Sequence, residues 1–223
     1  LENSDVQGIC EFTLGKLVTF KQIVMKQYIL ITVIIFLPAF LFCQSELMAH
    51  LQKAETEFSA GNLQEARFEL QQSLAELDIL VAKAILEKLP LEVGGLKTKP
   101  DTDQFAGNTL GFTGLFVERR YESADGTQSM TLTIFSNSPL FGSLNGFINN
   151  PIMASMSGRK VVKIGSYKAS LEQIEGSNPV AFELQLPFNQ SIWTMRFEGI
   201  EDQNKVTNIA NQLPVKEVIQ IAQ

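Results

Sequence analysis

The sequence predicts an α+β chain: an N-terminal signal segment, an αα-hairpin, then an antiparallel meander of about six strands covered by helices. Three observations carry this. No charged residue occurs between Gln27 and Ser45, and most of that run is apolar. Apolar residues at helical spacing follow as far as Pro90, and from Leu115 onward short β-rich runs alternate with turns too brief for crossover helices. The boundaries are 1–43 for an upstream extension and signal peptide, 44–89 for the hairpin, 90–104 for a linker and 105–223 for the α+β domain.

The apolar core of the first segment, Tyr28 to Phe42, would span roughly 22 Å as a helix. A hydrocarbon layer is about 30 Å thick. A short apolar core behind Lys26, with Pro38 near its end, describes a secretory signal peptide that begins at Met25. Cleavage after Cys43 leaves a small residue beside the bond, although Leu41 is larger than signal peptidase prefers. Acylation of Cys43 and an uncleaved anchor are the alternatives. Lys16, Lys21 and Lys26 precede the run and Glu46 follows it, so in each case the downstream chain is expected to be exported: periplasm, cell surface or exterior.

A formal charge of −6 lacks the basic surplus that phosphate binding needs, so no nucleic-acid partner is expected. It also opposes adsorption to anionic lipid, leaving membrane association only through an uncleaved signal or a lipid anchor. Cys10 and Cys43 both precede the mature region, and His50 is the single histidine, so neither a disulfide nor a zinc ligand set is expected. No cofactor-binding pattern occurs.

In the hairpin, Leu47, Leu51, Ala54 and Phe58 give one helical stripe. After Gly61 and Asn62, a second runs through Leu63, Ala66, Leu70, Leu74, Leu77, Val81, Ala84 and Ile85. The two stripes are expected to bury against each other, with the hairpin packing on the next domain or on another copy. The stretch from Ala54 to Leu74 resembles one tetratricopeptide repeat. Gly61, Asn62 and Leu63 fit its inter-helix turn, Ala66 its crossing residue, and Leu70 and Leu74 its second-helix contacts. The chain departs from the pattern at Asp78, where proline is usual, and no second copy follows, so the resemblance implies no peptide groove. His50, with no suitably spaced acidic or nucleophilic neighbour, reads as a surface residue.

Strands are expected over 115–121, 129–136, 159–164, 167–174, 180–186 and 191–198, neighbours pairing antiparallel because their joins are short. Trp193, Met195 and Phe197 share one face of the last strand. Two helical segments, 139–156 and the one from about Asp202, are expected to cover the buried face. This order looks like the PsbP/Mog1 topology at fold level, with no functional motif to carry over. The whole chain also looks similar to exported bacterial proteins of unassigned function, which implies a compartment and no activity.

No nucleophile elbow, metalloprotease helix or phosphate loop occurs. Gly142, Ser143 and Gly146 lack a partnering base, and Asp101 with Asp103 lack the rest of a calcium loop. Arg119 and Arg120, adjacent in a strand, point to opposite faces. No catalytic, cofactor-binding or metal residue is assigned. Phe141, Phe147, Met153 and Met156 form a candidate apolar surface for a partner, set against the plainer reading of a helix that covers the sheet. The function expected is an exported, non-enzymatic binding or accessory protein whose partner is a protein. A hydrolase using carboxylates brought together by folding, and a self-associating structural protein of the envelope, are the alternatives.

Overall fold

Alternation decides which side of each strand meets the core: Val117, Arg119 and Tyr121 in one strand, Met130, Leu132 and Ile134 in the next, are all buried. The computed structural model describes residues 46–107, 114–150 and 159–222. The signal segment read over 25–43, and Met153 and Met156, lie outside them. The described residues form five helices and a nine-stranded antiparallel sheet, an α+β fold.

Helix α1 (46–59) and helix α2 (Leu63–Lys88) come first. Strands β1 (Glu92–Val93), β2 (Leu96–Thr98) and β3 (Gln104–Ala106) follow, with a 3₁₀ turn at Pro100–Thr102. Then come β4 (Phe116–Glu122), β5 (Ser129–Phe135) and helix α3 (Phe141–Asn149). Strands β6 (Lys160–Ile164), β7 (Tyr167–Ile174), β8 (Ala181–Phe188) and β9 (Ser191–Glu198) lead to helices α4 (Gln203–Ala210) and α5 (Val215–Ile221).

The six expected strands are present, but the sheet is not one continuous meander. Its order is β1-β2-β4-β5-β9-β8-β7-β6, with β3 also paired to β4. The β4–β5 hairpin therefore docks on β9, which closes the run β6 to β9, and the chain re-enters at the far edge after β5. Pairing of β5 with β9 sets Ile134 beside Trp193, which faces Leu186 of β8. These three side chains are fully buried.

The stretch read as a linker belongs to the sheet. Gly94 and Gly95 both have positive φ, 59° and 83°, as a two-residue hairpin loop demands, and they join β1 to β2. Leu89, Val93 and Leu96 are buried in the main core. A second correction concerns the covering helices. Ala82, Ile85 and Leu86 of α2, Val206 and Ile209 of α4, and Val218 of α5 cover one face. Helix α3 lies on the other, where Leu144, Phe147 and Ile148 cluster with Ile192. That second face also carries Phe116 and Phe135, in ring contact at 5.0 Å.

Arg119 and Tyr121 lock α2 to the sheet. Arg119 donates from Nε to Asp103 Oδ1 at 2.9 Å and from Nη2 to Asp103 Oδ2 at 2.5 Å. Its Nη1 donates to the carbonyls of Leu86 at 2.9 Å and Leu89 at 3.0 Å, acceptors that a helix end leaves without partners. Tyr121 donates its hydroxyl to the Pro90 carbonyl at 2.9 Å, and burial pushes its phenol up to about 12. Arg120 is exposed, as strand alternation requires.

The join after β9 admits only glycine. Gly199 has φ +74°, and a Cβ there would stand 2.0 Å from the Thr127 carbonyl oxygen. Gly199→Ala is expected to destabilise the fold by about 2 kcal/mol through left-handed strain and that backbone clash. Chemical denaturation checks it; a loss under 0.5 kcal/mol contradicts it.

Candidate functional site

Hydrophobicity alone ranks the leucines of α2 as its inner face, and the structure places them outside. The residues buried toward α1 are small or polar: Ala66, Glu69 and Ser73. Those buried toward the sheet are Ala75, against Gly107 after β3, and Ala82, Ile85 and Leu86. Between these two contact strips stand Leu63, Leu70, Leu74 and Leu77, exposed by 64%, 50%, 57% and 46%. At 100° per residue they fall within about 60° of one another, in line with half-buried Val81. The two stripes thus do not bury each other: Ala54 on α1 and Ala66 on α2 are buried, while Leu51, Phe58 and the four leucines stay exposed.

Glu69 holds one side of that crossing. Its side chain is 1% exposed and accepts from His50 Nδ1 at 2.6 Å and from the Lys53 ammonium. His50, expected to be without an acidic neighbour, meets one 19 residues away across the hairpin. On α1, Leu51 and Phe58 lie on the side of Ala54 away from Lys53, both exposed. The ridge of α2 lies on that same side, so seven apolar positions from 51 to 81 make one face and the Glu69 cluster marks the other.

The Lys53 bond first, then the His50 bond, hold the Glu69 carboxyl below its ordinary value of 4.5. A depressed folded pKa contributes stability that is present above the unfolded value and lost as pH falls through the folded one. Acidification below about 4.5 is therefore expected to loosen α1 from α2 before the sheet opens. Amide hydrogen exchange over 50–73, compared with β4 and β9, reads this out. Glu69→Gln is expected to lower protection of α1 at neutral pH and to remove most of its pH dependence. Unchanged protection in that variant contradicts the role.

The other residues read from sequence fall elsewhere. Phe147 is buried against the sheet with the Arg159 guanidinium 5.9 Å from its ring centroid, and half-buried Phe141 packs at the cluster's edge. Phe147 therefore packs with Leu144, Ile148 and Ile192 under α3 and is not part of an exposed surface. Among carboxylates, Glu172 and Glu183 stand directly across from each other on β7 and β8. Glu172 accepts from Arg159 at 2.6 Å and Glu183 from Gln185 Nε2 at 2.6 Å. Among the described residues, no group of three or more histidines, cysteines or carboxylates is placed to hold a metal ion, and no helix is long and apolar enough to cross a membrane.

No family model and no curated protein matches the chain. A solved structure, a crystal structure at 1.50 Å resolution from Bacteroides thetaiotaomicron VPI-5482, is similar over 56% of this chain and 46% of its own, with TM-score 0.31 and 11% identity. The chain thus spans less than half of that structure's length, and a likeness at this level carries no argument.

Proposed function

We propose that this chain is an exported, non-enzymatic accessory protein that works by binding another protein chain through the apolar face of its αα-hairpin. One observation carries the reading: four leucines about half exposed, in a line, on a helix anchored at its far end by buried contacts. Together with Leu51 and Phe58 they leave on the order of 500 Å² of apolar side chain in water, near the top of the range for the largest patch on an ordinary monomer. Export rests on the uncharged apolar run from Tyr28 to Phe42 behind Lys26. The acidic balance speaks for a protein partner and against nucleic acid or an anionic lipid surface.

The test is a photo-crosslinking amino acid at Leu74, with Glu65 on the opposite side of α2 as control, introduced in living cells. The expected result is a discrete protein adduct from Leu74 in the exported fraction and none from Glu65. Absence of an adduct at both positions overturns the binding reading, and an uncut chain in the cytosol overturns the compartment. Turnover of an envelope polymer by the purified protein, unaffected by Leu74→Glu, favours the hydrolase alternative instead.

A further inference from the structure

The leucine ridge has a spacing with a known partner geometry. Steps of seven, four, three and four residues lead from Leu63 through Leu70, Leu74 and Leu77 to Val81, the alternation of a coiled-coil seam. Arg67 occupies the one seam position between Leu63 and Leu70, and Asp78 stands eleven residues beyond it. Eleven residues bring a helix back to nearly the same side, so both charges flank the ridge. Among the described residues neither side chain has an ion-pair partner. Asp78 is half-buried, and that burial raises its carboxyl above 3.8 with no countercharge nearby.

We infer that the occupant of this face is a second copy of the same chain, its α2 lying antiparallel across the first about a two-fold axis near residue 72. The inference rests on the binding reading above and names its partner. In that arrangement Leu70 packs on the second copy's Leu74 and the reverse, Leu63 meets Val81, and Arg67 comes beside Asp78. Each copy thus supplies the charge the other lacks, twice over. A parallel pairing would set Arg67 against Arg67 and Asp78 against Asp78, so charge selects the antiparallel form. A polar residue at one seam position fixes register in the same way. With Leu51 and Phe58 of α1 counted beside the four leucines, two copies offer at most roughly 1,000 Å² of apolar side chain, about the size a specific interface must clear. A membrane surface fits less well, because residues 46–88 carry eight acidic and four basic side chains.

Sedimentation equilibrium on the full chain, purified as the cell exports it, tests this. The expected result is a dimer that Leu74→Glu converts to a folded monomer. Arg67→Asp and Asp78→Arg are each expected to weaken it at least tenfold, while the two together recover it to within about threefold. Asp78→Asn, a milder change, is expected to weaken it several-fold. Circular dichroism and Trp193 fluorescence establish that each variant is folded. A wild-type chain monomeric at about 100 µM, or a double variant no tighter than the singles, overturns the second copy as occupant. A monomer whose Leu74 still crosslinks to a different protein in cells also overturns it, and leaves the binding reading standing.

Discussion

Arg119→Ala is expected to cost about 3–5 kcal/mol of folding stability, the range for removing one member of a buried ion pair. Both side chains are nearly inaccessible, 4% exposed for Arg119 and 7% for Asp103, so the carboxylate left behind has little water to replace the guanidinium. The carbonyls of Leu86 and Leu89 lose their donor in the same step. A contrast separates charge from anchoring. Arg119→Met with Asp103→Leu removes the stranded charge and is expected to recover part of the loss. It leaves the two carbonyls unsatisfied, so a remainder of about 1–3 kcal/mol should persist. Urea titration followed by Trp193, the single tryptophan, measures both. A loss under 1 kcal/mol for Arg119→Ala sinks the anchoring argument.

Trp193→Ala is expected to cost about 3–5 kcal/mol, and Trp193→Phe less than 2. The indole is fully buried on β9, between Ile134 and Leu186 of the flanking strands. Alanine leaves a hole that two hydrogen-bonded neighbouring strands cannot close by moving. Phenylalanine gives up some volume but also removes a buried N–H that has no partner among the described residues. Burying an unpaired donor costs about 1–3 kcal/mol, which offsets part of the lost packing. Far-ultraviolet circular dichroism during denaturation reads both variants. Equal losses for the two substitutions contradict the account.

The strands were legible because their evidence is local. A period of two in Met130, Leu132 and Ile134, or in Trp193, Met195 and Phe197, marks one buried face, and glycine, proline and asparagine between runs mark the turns. The β5–β9 pairing was not legible, since nothing near either strand states which distant partner it takes. The Gly94–Gly95 loop read as a linker because its flanking strands, two and three residues long, are too short to display alternation. For α2 the misleading signal was hydrophobicity itself. Leucine marks where apolar area is available, whereas Ala66, Ser73 and Ala82 mark where another element comes close. The His50–Glu69 contact joins residues 19 apart across a turn, visible only once the helix crossing is placed. On α3, spacing picked out Leu144, Phe147 and Ile148, which are buried, but also Leu140, which is exposed, and it was silent about which side of the sheet the helix would serve.

Helix α2 belongs to two packing environments at once: its first half is zipped to α1 and its second half is bolted to the sheet by Arg119, Tyr121 and the core. With 26 residues it is a rigid rod roughly 39 Å long. Whatever engages the outer end therefore takes hold of a lever, not a tether. A sideways load at Leu63 arrives at Leu86 and Leu89 as torque, and the guanidinium sits at the fulcrum. Loosening that pivot should leave the ridge chemically intact and yet free to swing, so orientation would be lost before affinity.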